Sequence, residues 1–242
     1  MSDSVVPSFL GRTLRRRSFL RVAGATAASS ALVLAGCGKD DNPNPTPGPN
    51  AVATLTLTGD DNGLLNFAYL LEQIEAAFYQ KVVTAFPADF TAADKAAFID
   101  LRDHEVIHRE FFKSVLAANA YDAALPVPFE FNFTAYTLTT RAGVYAAART
   151  LEDLGVAAYN GLLRRFSNLT YLRLLAKIGS VEARHAAFVR DQAEPNSFAG
   201  PEVIVASGSL AGLSVLKTPT EVAALIAPLL PVVLVADNLM LL

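Results

Sequence analysis

The sequence predicts an all-α fold: a four-helix bundle with a long crossover between the second and third helices and a C-terminal helical extension. Three observations carry this. Four stretches, 61–86, 92–120, 140–166 and 170–193, are free of proline and rich in helix formers. Short turns join the first stretch to the second and the third to the fourth, whereas residues 121–139 separate the middle two. The two helix pairs also repeat each other in sequence.

The 242 residues are 52% hydrophobic and only 18% charged, which excludes a disordered chain and requires a large buried surface. A formal charge of −3 offers no basic surface, so nucleic acid is not an expected partner. The single cysteine, Cys37, rules out an intramolecular disulfide and a multi-cysteine zinc site. Any histidine chemistry must come from His104, His108 and His185.

The N-terminus reads as an address. Arg16-Arg17-Ser18-Phe19-Leu20-Arg21 precedes an uncharged run from Val22 to Gly36 that is too short to span a bilayer. The arginine segment resembles the twin-arginine export signal. Leu34-Ala35-Gly36-Cys37 resembles a lipobox, so residues 1–36 are expected to be removed and Cys37 lipidated. Two or three acyl chains, at about 0.8 kcal/mol per buried methylene, anchor a protein stably. Residues 37–54 then form a proline- and asparagine-rich tether from membrane to domain. The expected location is the cell envelope, outside the cytoplasm. Removal of residues 1–36, with five arginines and one aspartate, leaves 15 basic and 22 acidic residues.

The first helix has Asp60 or Asp61 as its cap, and the second follows a capping box, Thr91-Ala92-Ala93-Asp94. In the crossover, Pro126 and Pro128 are followed by alternating Phe129, Phe131 and Phe133. Nineteen extended residues reach up to roughly 60 Å, enough to run the length of a bundle.

The duplication is specific. Leu71-Glu72-Gln73-Ile74 and Ala77-x-Tyr79 match Leu151-Glu152-Asp153-Leu154 and Ala157-x-Tyr159, an offset of 80 residues. Glu105-x-x-His108-x-x-Phe111 matches Glu182-x-x-His185-x-x-Phe188, an offset of 77. Two matches in register imply halves related by an approximate two-fold axis.

The second helix carries a seam of Phe98, Leu101, Glu105, His108 and Phe112, and the fourth a seam of Leu175, Ile178, Glu182, His185 and Val189. This 3-4 spacing faces a neighbouring helix. A carboxylate and an imidazole therefore interrupt each core stripe, and no lysine or arginine sits in either seam to pair with them. Burying unpaired carboxylates costs several kcal/mol each. Two divalent cations remove that cost. Glu and His three residues apart lie side by side on a helix and can approach one ion together. Adding one Glu from each remaining helix completes the six-ligand set of dinuclear carboxylate bundles. The expected metal ligands are Glu72, Glu105, His108, Glu152, Glu182 and His185.

Glu75 is a further candidate, but its counterpart in the other half is Gly155, which favours Glu72; the glycine either leaves space for water or a small oxidant or serves close helix packing. Tyr79 and Tyr159 lie on the ligand faces as candidate hydrogen-bonding or electron-supplying groups, or as core. His104 has no duplicate and is read as a surface or structural residue on a different face from His108.

The run Leu-Asn-Phe-Ala-x-x-Leu-Glu-x-x-Glu-Ala-x-Phe-Tyr over residues 65–79, with the His-Glu-x-x-His of the second helix, resembles the ferritin-like superfamily. Within it, the resemblance is to bacterial ferritin-like domain proteins related to desiccation-related proteins. It covers about residues 55–193 and implies a ferritin-like four-helix bundle. The superfamily includes ferroxidases, peroxide-reducing rubrerythrins and manganese catalases, so the resemblance supports fold and ligands more than substrate. It favours iron as the cofactor, although mixed carboxylate and imidazole ligands also suit manganese.

Residues 194–242 form the extension. Thr218-Pro219-Thr220-Glu221 opens a short apolar helix with a capping box and proline at its first position. Pro228, Pro231 and Asp237 interrupt the apolar run that follows, so it is expected to dock on the bundle or on a second copy, a homodimer. The functional expectation is an exported, lipid-anchored di-iron oxidoreductase acting on Fe(II) with dioxygen or hydrogen peroxide. The alternatives are a non-catalytic stress or desiccation protein and a manganese catalase-like enzyme.

Overall fold

The computed structural model describes residues 53–241 apart from 124, 126 and 127. The signal peptide, Cys37, most of the tether and Pro126 of the crossover lie outside the described residues.

The elements are β1 (Thr54–Thr56), α1 (Asp61–Thr84), α2 (Ala92–Leu116), α3 (Arg141–Leu162), α4 (Leu169–Ala193), α5 (Pro219–Ile226) and β2 (Val233–Val235). Each long helix starts where a side chain satisfies its free amides. Asp60 accepts from the Gly63 amide, and Thr91 and Asp94 form the expected reciprocal capping box. Thr140 accepts from the Gly143 amide and Asn168 from those of Thr170 and Tyr171.

Side-chain pairings give the helix directions. Asn66 meets Asn119 while Tyr79 meets Phe98, so α1 and α2 run antiparallel. Tyr79 bonds Glu152 and Tyr159 bonds Glu72, so α1 and α3 are antiparallel as well. It follows that α2 and α3 run parallel, which a tight turn cannot achieve. The crossover does this, packing Phe133 into the core with Phe129 and Phe131 against it. The bundle is all-α, with the topology the sequence implied.

The core seams also match: the buried residues of α2 include Phe98, Leu101, Glu105, His108 and Phe112, and those of α4 include Leu175, Ile178, Glu182, His185 and Val189. Both ends are tied down. Asp61 accepts from the Ser167 and Asn168 amides across the α3–α4 turn. Asp94 binds Arg141 and the Tyr145 hydroxyl at the start of α3.

The C-terminal segment differs from a simple helical extension. The helix opened by Thr218 ends at Ile226, and the chain then forms β2, which pairs in parallel with β1 through Thr54–Val233, Leu55–Leu234 and Thr56–Val235. The fold therefore includes Thr54, at the end of the stretch read as tether. Burial of Leu55 and Leu57 with Val222, Ile226 and Leu239 drives this closure. Among the described residues no helix is long and apolar enough to cross a membrane.

Candidate metal centre

Four helices bring Glu72, Glu75, Glu105, His108, Glu152, Glu182 and His185 to the bundle interior, and all seven are buried. The four carboxylates at 0% exposure are Glu72, Glu105, Glu152 and Glu182, one from each helix. The two histidines face them with Nδ1. His108 Nδ1 lies 2.7 Å from Glu182 Oε1, 3.3 Å from Glu72 Oε2 and 3.5 Å from Glu105 Oε2. His185 Nδ1 lies 2.6 Å from Glu105 Oε1, 3.5 Å from Glu182 Oε2 and 3.9 Å from Glu152 Oε2.

The pattern is a two-fold. Glu105 and Glu182 each turn one oxygen to each histidine, while Glu72 serves only the His108 half and Glu152 only the His185 half. The tyrosines complete it by crossing over. Tyr79 donates to Glu152 Oε1 at 2.5 Å, and Tyr159 donates to Glu72 Oε1. Each tyrosine thus fixes the glutamate of the opposite helix pair and leaves its second oxygen for the centre.

Those second oxygens decide whether the residues fit a cation. Glu72 Oε2, Glu152 Oε2, both oxygens of Glu105, both of Glu182 and the two histidine Nδ1 atoms are buried without a hydrogen-bond partner of proper geometry. Buried polar atoms are rarely left so. Clustering eight of them, every one a potential electron-pair donor, is the arrangement a pair of divalent ions satisfies. Two such ions also balance the four carboxylates. The compact donor groups are Glu72, Glu105, His108 and Glu182; Glu105, Glu152 and His185; and Glu75, Glu152 and Glu182, with ligand atoms within 4.8 Å of one another.

The same crowding shifts the titration of these groups. Burial, reinforced by neighbouring carboxylates, pushes Glu72, Glu75 and Glu152 well above the usual carboxylate range. Burial also opposes charge on His108, but the close carboxylates of Glu105, Glu182 and Glu72 outweigh it and raise the imidazole to about 12. His185 is raised to about 11 by Glu105 and Glu182 against the same burial penalty. Burial alone would raise Glu105, but its two histidine partners bring it down to about 2. Burial, then the adjacent carboxylates, holds Tyr79 and Tyr159 protonated and able to donate.

Two sequence expectations need correction. His104 is not on a separate face: its Nδ1 lies 2.9 Å from His185 Nε2, and its ring centroid is 4.7 Å from that of His108. Residues four apart on a helix differ by only about 40° of rotation, so His104 and His108 share a side. Nor does Gly155 leave space for water or an oxidant. Glu75 fills it, since a Cβ on Gly155 would lie 2.6 Å from Glu75 Oε1. Glu72 and Glu75 both belong to the cluster.

Arg190 is a second buried feature without a sequence signal. It is 1% exposed, bonds Asp153 at 2.5 Å and Glu202, and donates to the Ser197 carbonyl at 2.7 Å. It clamps the start of the C-terminal extension onto α3 and α4.

A family model described as a ferritin-like domain matches residues 60–194, a span holding all four long helices and every residue of the cluster. No curated protein matches the chain.

Proposed function

The chain belongs to the ferritin-like domain family, and from that premise we propose that it holds two redox-active metal ions between its four helices and oxidises Fe(II) with dioxygen or hydrogen peroxide. The observation that carries this reading is the set of eight buried donor atoms, crowded within ion-pair distance yet without properly directed hydrogen bonds, arranged in two halves about Glu105 and Glu182. A structural role alone would be served by apolar residues at these seam positions, which pack without desolvating charge.

Glu105 and Glu182 would contribute to both ions, Glu72 and His108 would hold one, and Glu152 and His185 the other. A bound pair of such ions supplies two electrons at one point, the number that converts hydrogen peroxide and two protons to two waters. The protein's part is to bind, orient and insulate. The apolar seams above and below keep bulk water from the carboxylates, and the low dielectric strengthens each charge interaction. The Tyr79 and Tyr159 hydroxyls hold protons at Glu152 and Glu72 and fix the direction of those carboxylates. Iron is the favoured metal. The protein acts at the cell envelope, exported through its twin-arginine segment and anchored by lipid on Cys37.

The test is Fe(II) oxidation by the purified, metal-loaded chain supplied with hydrogen peroxide. A rate well above buffer is expected, and Glu105→Ala or His185→Ala should abolish it. An unchanged rate in those variants overturns the catalytic reading. Peroxide disproportionation without Fe(II) would instead identify a manganese catalase-like centre. Membrane release of the Cys37→Ser variant tests the anchor.

A further inference from the structure

Six residues of the centre obey the two-fold, and two others break it on the same side. We propose that Glu75 is a seventh metal ligand and His104 a positioning residue for His185, so that the two metal positions are unequal and the His185 position fills first. This rests on the two-ion reading above and adds to it an order of binding.

Glu75 is buried to 3% exposure, and its Oε2 has no hydrogen-bond partner. Its oxygens lie within reach of Glu152 and Glu182, with which it forms a compact group of potential ligands. Glu182 serves both halves, but Glu152 serves only the His185 half, so Glu75 adds a donor there. The symmetric place, one turn beyond Glu152 on α3, is Gly155. A Cβ at Gly155 would sit 2.6 Å from Glu75 Oε1 and 3.5 Å from its Cδ. The missing side chain is therefore what admits Glu75, and no matching carboxylate exists for the His108 half.

His104 reinforces the same half from outside. Its Nδ1 lies 2.9 Å from His185 Nε2, and the two rings meet edge to face with centroids 4.8 Å apart. The Nδ1 of His185 faces the carboxylates and must offer its lone pair to a cation. The ring proton then resides on Nε2 and is donated to His104 Nδ1. Such an outer partner fixes the tautomer and plane of a ligating imidazole and raises its basicity. Among the described residues, no side chain takes this role for His108.

The His185 position thus has five donor atoms: His185 Nδ1, Glu152 Oε2, Glu75 Oε2 and one oxygen each of Glu105 and Glu182. The His108 position has four, and among the described residues no side chain is hydrogen-bonded to the outer nitrogen of its imidazole. More donors and a pre-oriented ligand both favour the first.

Calorimetric titration of the metal-free full chain with Co(II) tests this. The expected isotherm has two steps, the first at least about 10-fold tighter. Glu75→Gln and His104→Phe should each weaken the first step by about 10–100-fold, the usual effect of losing an outer-shell partner or ligand. Both should leave the second step in place. Glu72→Gln should weaken the second step only. Two equivalents bound in one indistinguishable step would overturn the proposal, as would equal weakening of both steps in the Glu75 and His104 variants. Absence of any Co(II) binding would instead overturn the two-ion reading itself. Because the unsubstituted chain already gives the two-step result or fails to, a variant that does not fold leaves the test intact.

Discussion

Removing metal should make the protein's stability fall as pH rises, and adding it should reverse the trend. The sign follows from the buried groups. Glu72, Glu75 and Glu152 have folded-state pKa values raised by burial, so the folded protein binds more protons than the unfolded chain above about pH 4.5. His108 and His185, raised to about 12 and 11, do the same from about pH 6.5 upward. Each contributes stability that is present at low pH and lost as pH rises. Glu105, lowered to about 2, acts oppositely, but its contribution is complete by about pH 4.5. Each proton of difference costs about 1.4 kcal/mol per pH unit. Metal binding releases the imidazole protons and replaces their charge, so its benefit grows with pH. At about 100 times the dissociation constant, each ion contributes roughly 2.7 kcal/mol, or about 5 kcal/mol for two. At about 2–4 °C per kcal/mol for a domain of this size, the melting temperature should rise by on the order of 10–20 °C at pH 8 and by much less at pH 5. Thermal unfolding with and without Mn(II), from pH 5 to 8, measures this. Metal-free stability that increases over the range, or a metal increment that ignores pH, would refute the burial argument.

Tyr159→Phe leaves Glu72 Oε1 buried without its donor, and Tyr79→Phe does the same to Glu152. Each should destabilise the metal-free protein by about 1–3 kcal/mol in chemical denaturation, while preserving the fold by circular dichroism. Arg190→Ala removes the buried one of the two arginines that Asp153 and Glu202 share, leaving them Arg149 alone, and should cost about 2–3 kcal/mol. Limited proteolysis should then cut first within residues 194–204, because Arg190 holds Ser197 and Glu202 to the bundle. Gly161→Ala would place a Cβ 1.9 Å from the Lys217 carbonyl oxygen, where α3 receives the extension. A cost of about 1–3 kcal/mol is expected from that overpacking, measurable as a lowered denaturation midpoint.

Much of this was legible in the sequence because the signals were periodic or local. The seams of α2 and α4 follow from apolar spacing, and the starts of α1 and α2 from the amide caps Asp60 and Thr91, whereas the Thr140 and Asn168 caps are evident only in the structure. The Glu and His pairs stood out by interrupting an apolar stripe twice. Glu75 was discounted because the comparison with Gly155 read a vacancy as evidence against its partner, when the vacancy is filled by Glu75. His104 offered a signal, its position four residues before His108, which duplication alone could not weigh. The β1–β2 pairing joins three residues on each side across some 180 positions, too short and too distant for any local pattern to register. Arg190 lies in the last turn of α4, a place where a solvent-facing arginine is equally at home, so nothing local marks it as buried.

The central claim is that two metal ions sit between Glu105 and Glu182. Anomalous X-ray scattering from crystals grown with Mn(II) tests it most directly. Two peaks are expected, one beside Nδ1 of His108 and one beside Nδ1 of His185, both lost in Glu182→Ala. A map with no peak among these side chains would contradict the claim.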